Sequence, residues 1–465
     1  MEARSWAEPL VPRDAAFLYL EGQASPYHVA ALMVFGGPPP ARDEVLEWIG
    51  ARTGLVPRLR QRLALAPLTG RPFWVDDPHF DLEYHVRFEE LPAPGDDRAL
   101  AALTGELVAR HLSRFRPLWE IWVLEPTAAG GFAVLMKSHH SAVDGVAGIR
   151  DLTALFAPLP PDAVPLLPPR PVPSELGLSV RSALHAAETP IALLRAARAA
   201  AGAPARTLRR VAGTAVGVAR VGLTALHPAP HVPLNVLIGP NRSVEFVRAS
   251  LQDFKDVKAA LGGTVNDVVL AVTAGGLRRW MEARDLPIGP DLVALVPISL
   301  RGGGSGRGST GAGNEVTGML APLPVGLENP LTRLARVRRA TALAKVSGQS
   351  AGASALLNSL PLLPAPVTAA LAGRLIRGQR SFNVSMPNLR GPEEPLQLAG
   401  RQAVDVFALP PLSANAAFIL AAMSHAGAMT FGLLADRDAV PDLGVIAEGI
   451  EKSIVELVQA AREVG

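Results

Sequence analysis

The sequence has 465 residues, 45 Lys and Arg against 42 Asp and Glu, and no cysteine, which excludes disulfide scaffolds, Cys-based zinc sites and thiol nucleophiles. At about 100 to 200 residues per domain, the length predicts two or three domains, and 49% hydrophobic residues with 43 Gly and 43 Pro suit a folded chain. A net charge of +3 with 5% aromatic residues lacks the concentrated basic, aromatic-rich surface of a nucleic-acid binder.

The opening residues mix Glu2, Glu8, Asp14 and Glu21 among apolar ones and lack the basic-then-apolar order of a secretory signal. No uninterrupted apolar run reaches the roughly 18 residues of a spanning helix. The expectation is a cytoplasmic protein that is not integral to a membrane. Residues 27–36, 82–88, 119–125 and 131–138 read as strands, with helices near 41–53 and 97–113, so the first half is mixed α/β. Residues 157–175 contain eight prolines, which block helix hydrogen bonding and extend their predecessors, marking a linker. An Ala-rich helical tract follows at 181–226, with seven arginines against the single acid Glu188, broken by Pro190 and Pro204. Such a tract suits either a membrane interface or a crossover with a solvated basic face. From about 242 the α/β pattern resumes: strand 243–249, helix 264–283, strand 291–299, helix 330–346, strands near 415–424 and 429–435, and a closing helix 442–462. The divisions expected are 1–156, 157–241 and 242–465.

The strongest local signal is His139-His140-Ser141-Ala142-Val143-Asp144-Gly145, directly after an apolar strand and before an amphipathic stretch. Neighbouring strand residues point to opposite faces, so the two imidazoles do not readily chelate one metal, and no metal is expected here. An imidazole at a strand end, titrating near neutrality, suits a general base that takes a proton from an attacking hydroxyl. Asp144 can cap the next helix or pair with an arginine and so hold the loop. Two structural histidines beside a helix cap remain the blander reading of these residues alone.

Further segments decide between them. Val11–Leu32, Pro57–Leu63, Asp76–Val86, Arg116–Glu120 and HHSAVDG, then Thr264–Val272, Val296–Arg301, Gly313–Met319 and Phe431–Asp442, resemble in order the bacterial wax ester synthase/acyl-CoA:diacylglycerol acyltransferase family over nearly the whole chain. The resemblance implies an α/β fold of two chloramphenicol-acetyltransferase-like halves with a central tunnel at their interface, joined by the Pro-rich and Arg-rich crossover. It implies an acyl-CoA-dependent O-acyltransferase acting on diacylglycerol or a long-chain alcohol, with acyl-CoA as co-substrate and no bound cofactor. Carried over by position, His140 resembles the general base, and His139 and Asp144 resemble residues that shape its loop. Asn266 matches an Asn-Asp motif assigned to the facing side of the site, with Asp267 and Gly145 as substrate-contact candidates. Thr264, Asn266 and Asp267 would serve equally as helix caps, and Pro117-Leu118-Trp119 would pack a wall. Two segments depart from the family's pattern: His111–Arg116 before Pro117, and Ser385–Pro392.

A lipid acceptor also implies peripheral attachment to the membrane's inner face or to lipid droplets. The alternatives are a non-catalytic lipid-binding or droplet protein of the same fold, and a serine esterase. The latter would use Ser350 in Gly348-Gln349-Ser350-Ala351-Gly352 with Asp405 and His425, although the preceding helix-like stretch is wrong for a nucleophile elbow. The glycine-rich stretch 302–314 reads as a loop. Arg333, Arg336, Arg338, Arg339 and Lys345 could meet CoA phosphates or form a solvated helix face.

Overall fold

A computed structural model describes residues 6–143, 145–158, 168–184, 228–299, 316–346 and 380–464. The first half runs β1 (Glu8–Pro9), α1 (Pro12–Leu20), β2 (His28–Phe35), α2 (Arg42–Arg52), β3 (Gln61–Leu65), β4 (Pro72–Asp76), α3 (Leu82–His85), β5 (Val86–Glu90), α4 (Asp97–Ala109), β6 (Trp119–Glu125), β7 (Phe132–His139) and α5 (Gly145–Phe156). A helix over 175–184, α6, follows. The second half holds β8 (Arg242–Ser250), α7 (Leu251–Leu261), α8 (Val265–Ala283), β9 (Leu292–Ser299), β10 (Val316–Leu323) and α9 (Pro330–Val346). It closes with β11 (Val384–Ser385), β12 (Asn388–Arg390), β13 (Gln397–Leu398), β14 (Arg401–Leu409), β15 (Phe418–His425), β16 (Ala428–Asp436) and α10 (Leu443–Val464).

These strands form three sheets: β1-β4-β3; a six-stranded sheet β13-β14-β2-β7-β6-β5; and a seven-stranded sheet β10-β9-β11-β15-β16-β8 with β12 beside β15. The chain is thus the mixed α/β protein expected, with one large sheet per half. The second half reaches into the first. β14 pairs antiparallel with β2, from Leu409 opposite Ala30 to Ala403 opposite Phe35, and so completes a sheet whose other main strands lie more than 250 residues upstream. β14 also lies against the second sheet, where Thr430 Oγ1 donates to the Val406 carbonyl at 2.5 Å. A Cβ on Gly432 would collide with the Ala408 carbonyl, so glycine permits this backbone approach. Arg248 of β8 ties the halves again by pairing with Asp97 and Asp405, each at 2.6 Å.

Local chemistry explains where elements begin and end. Residues 82–88, expected as one strand, begin with a single helical turn because Asp81 accepts the Glu83 N–H at 3.1 Å before β5 starts. The helix expected over 97–113 stops at Ala109. There the buried Lys137 ammonium donates to the carbonyls of Leu107 and Arg110, both at 2.9 Å, which satisfies groups the helix would otherwise orphan. Among the described residues, no single helix is long and apolar enough to cross a membrane. The bent pair α7 and α8 passes by composition only, and α8 buries Val268, Val269, Leu270, Val272, Leu277 and Trp280 in the second core. The glycine-rich stretch 302–314, Ser350 and the tract from 185 to 226 lie outside the described residues.

Candidate active site

β7 is buried along its whole length and delivers the two histidines to the edge of the first core. The backbone fixes both: the His139 N–H donates to Leu118 O at 3.0 Å and the His140 N–H to Tyr27 O at 2.8 Å. Their rings then diverge, as strand geometry requires. His139 is 1% exposed, whereas His140 is half-buried and stacks on Phe17 of α1 with ring centroids 4.0 Å apart.

His139 has a defined orientation. Its Nδ1 accepts the Ser141 N–H at 3.0 Å and lies 2.7 Å from Ser141 Oγ. That leaves the ring proton on Nε2, 3.6 Å from Glu21 Oε1. Burial outweighs the attraction of Glu21 and pushes the His139 pKa down to about 3, so the ring is neutral at physiological pH.

Glu21 is the hub of this side of the site and was invisible to motif reasoning. Its Oε2 accepts from Arg114 Nε at 3.0 Å and from Nη2 at 2.5 Å. Its Oε1 lies 3.5 Å from His28 Nε2 and 3.3 Å from His111 Nδ1. Burial alone would raise its pKa, but hydrogen bonds from His28 and Arg114, with the charges of His139 and Arg114, hold it at about 2. The cluster assembles because β2 and β7 pair in a register that sets His28 opposite His139, while the segment before Pro117 folds His111 and Arg114 over them. The available signals were that Glu21 and His28 lie in the family-like segment Val11–Leu32 and that 111–116 departs from the family's pattern. Glu21, His28 and His111 bring one ligand atom each within 4.8 Å of one another. The Arg114 guanidinium already neutralises that carboxylate, however, and would repel a cation placed beside it.

The other candidates separate. Asp144 lies outside the described residues, and Gly145 opens α5. Asp267 is 3% exposed. Its Oδ2 accepts from Thr264 N and Oγ1, both at 2.8 Å, and its Oδ1 accepts from Thr341 Oγ1 at 2.7 Å. Both oxygens are therefore engaged in capping α8 and tying it to α9. Asn266 remains half-buried, and its Oδ1 accepts from Asn388 Nδ2 of β12 at 3.3 Å. The departing segment 385–392 thus supplies the partner of the Asn-Asp motif.

Trp119 packs as expected, donating from Nε1 to Leu59 O at 2.7 Å and stacking on His85 at 4.5 Å. Three arginines of α9 have structural partners: Arg333 is buried and donates to the carbonyls of Leu327 and Glu328, Arg336 pairs with Asp291, and Arg338 donates to Leu261 O. No esterase relay forms from Asp405 and His425, because Asp405 pairs with Arg248 and His425 Nδ1 donates to the Pro392 carbonyl at 2.9 Å.

The family model described as wax ester synthase/diacylglycerol acyltransferase catalytic domain matches residues 10–269, and the WS/DGAT C-terminal domain model matches residues 312–458. A probable diacylglycerol O-acyltransferase of Mycobacterium tuberculosis, tgs1, is 34% identical over 458 residues, covering 97% of this chain and 96% of its own length. The solved wax ester synthase/diacylglycerol acyltransferase of Marinobacter aquaeolei VT8 is 27% identical with a TM-score of 0.69, covering 98% of this chain and 100% of its own. A starter condensation domain of rhizomide synthetase RzmA in complex with C8-CoA shares the fold, with a TM-score of 0.56 at 14% identity and coverage of 98% and 94%.

Proposed function

Since the chain belongs to the wax ester synthase/diacylglycerol acyltransferase family, and is an acyl-CoA-dependent acyltransferase, we propose that it moves a long-chain acyl group to the hydroxyl of diacylglycerol or a long-chain alcohol, with His140 as the general base. The observation that carries this reading is the placement of His140 at the end of a buried strand, half-open and stacked on Phe17, while His139 turns inward. In the proposed reaction, His140 takes the acceptor's hydroxyl proton as its oxygen attacks the thioester carbonyl. The tetrahedral oxyanion collapses, the carbon–sulfur bond breaks, and the imidazolium returns the proton to the leaving thiolate of CoA.

His139 and Glu21 act as positioning residues for the loop that carries the base. Asn266, linked to Asn388, is assigned to the facing half, and Asp144 and Gly145 to the turn that shapes the loop. Acyl-CoA and the acceptor are proposed to meet in a tunnel between the halves. Because acceptor and product are both lipids, the protein is proposed to work at a membrane or lipid-droplet surface without crossing it.

The test is purified protein with radiolabelled palmitoyl-CoA and either dipalmitoylglycerol or hexadecanol, followed by separation of neutral lipids. His140→Ala is expected to lower ester formation by about 10²- to 10⁴-fold. Undiminished ester in the variant would remove His140 from the base role.

A further inference from the structure

We infer that Ser138 is a further catalytic residue, whose hydroxyl shares a strand face with His140 and donates to the acyl carbonyl oxygen as that oxygen becomes an oxyanion. The inference rests on His140 as the base.

β7 and the residue after it end in four polar side chains, Lys137, Ser138, His139 and His140, and strand alternation sorts them two and two. The pairing with β2 sets His28 opposite His139 and Val29 opposite Ser138, and the His140 N–H on the Tyr27 carbonyl extends that register by one residue. Ser138 and His140 therefore share one face. On the other face both polar groups are engaged: Lys137 by Leu107 O, Arg110 O and Glu120, and His139 by Ser141 with Glu21 beside it.

Ser138 has no such partner. It is 4% exposed, and its Oγ makes no hydrogen bond among the described residues. The backbone beside it is occupied, since β7 pairs with β2 on one side and with β6 on the other, where Trp119 is the opposite residue. A buried hydroxyl without a partner lowers stability, and alanine would avoid that loss.

The surroundings show where a partner would enter. Further along the same face Phe132, Val134 and Met136 are sealed in the first core, whereas Val29 and Ala31 of β2 are half-buried, as is His140. The face thus passes from closed and apolar to half-open where the hydroxyl and the imidazole stand. Alternate strand residues lie about 7 Å apart, a span that one reacting carbon bridges when an oxygen on each side of it is hydrogen-bonded at about 2.8 Å.

Proton bookkeeping divides the roles. The acceptor's hydroxyl proton goes to the imidazole as the new carbon–oxygen bond forms. The carbonyl π pair then moves onto its own oxygen, which needs a donor that the base does not provide. The Ser138 hydroxyl donates to that oxygen and keeps its proton throughout. When the carbon–sulfur bond breaks, the carbonyl re-forms and the hydrogen bond weakens.

The test uses the full-length protein in the labelled palmitoyl-CoA assay, with Ser138→Ala, Ser138→Thr and Ser138→Val beside His140→Ala. Thr and Val share a shape and differ by the hydroxyl. Ser138→Ala and Ser138→Val are expected to lower kcat and kcat/KM together by about 10²-fold, and Ser138→Thr is expected to keep most of what Val loses. The Ser138→Ala melting temperature is expected to equal or exceed that of the unaltered protein.

Full turnover in Ser138→Ala with none in His140→Ala overturns this role and leaves the base reading standing. Equal losses in the Thr and Val variants, a loss confined to KM, or a lowered melting temperature in Ser138→Ala would each reduce Ser138 to packing or ground-state binding, and so overturn it. Undiminished ester from His140→Ala, or no ester from the unaltered protein, removes the base reading and this inference with it.

Discussion

His139 and His140 are neighbours in sequence with opposite electrostatic surroundings. The first is sealed in, held neutral by burial and aimed by Ser141 and Glu21. The second is half-open with Phe17 stacked against it, and that stack fixes the plane from which it would take a proton. Phe17→Ala is expected to lower kcat about tenfold, measured by steady-state kinetics, because it loosens the proposed base. The sealed groups also set an acid limit. The His139 pKa falls from 6.5 to about 3 and that of Glu21 from 4.5 to about 2, so in both cases the unfolded chain binds the proton more readily. Stability from His139 is complete above about pH 6.5 and lost as pH falls toward 3; that from Glu21 is complete above about 4.5 and lost toward 2. Melting curves are expected to be flat above about pH 7 and to fall steadily between about pH 6 and 4, with a shallower fall in His139→Gln. A flat profile across that window would contradict the sealed, neutral ring.

Among the elements, α4 shows how a buried charge can end a helix. Lys137 is 0% exposed, with its ammonium on two carbonyls at the end of α4 and 3.3 Å from Glu120 Oε2. Lys137→Met is expected to destabilise the fold by about 3 kcal/mol, read by denaturant unfolding, since it removes the donor to two carbonyls and the nearest cation to a carboxylate that is only 8% exposed and keeps the Trp122 N–H. Sequence periodicity located α4, α8 and the closing helix, because apolar residues recur along one side of each. It could not see where α4 stops, since the stopping residue lies on β7. It found the strand carrying His139, an unbroken apolar run ending in a motif. It missed Glu21, His28, His111 and Arg114 as a unit, because strand register and a loop crossing bring them together, and neither leaves a local signature. β14 escaped for a related reason: Asp405 interrupts its apolar run, and its partner β2 is some 370 positions away, beyond any window of periodicity.

For the whole molecule, strand exchange governs how the halves depend on each other. Residues 1–241 alone would leave the β2 edge open where β14 belongs, an exposed apolar edge of the kind that aggregates. Expressed separately, that fragment is expected to be insoluble, and co-expression with 242–465 is expected to recover a soluble complex that catalyses ester formation. A soluble, monomeric fragment with native-like circular dichroism would show that β14 is dispensable.

β2 lies between β14 on one side and β7 on the other, and the residue before it, Tyr27, holds the His140 backbone. The proposed base, His140, is therefore mounted beside a strand that both halves grip, and prying the halves apart would disturb its mounting. Differences in acceptor choice between relatives are therefore expected in segments outside this shared frame, read by exchanging such segments and measuring the esters formed.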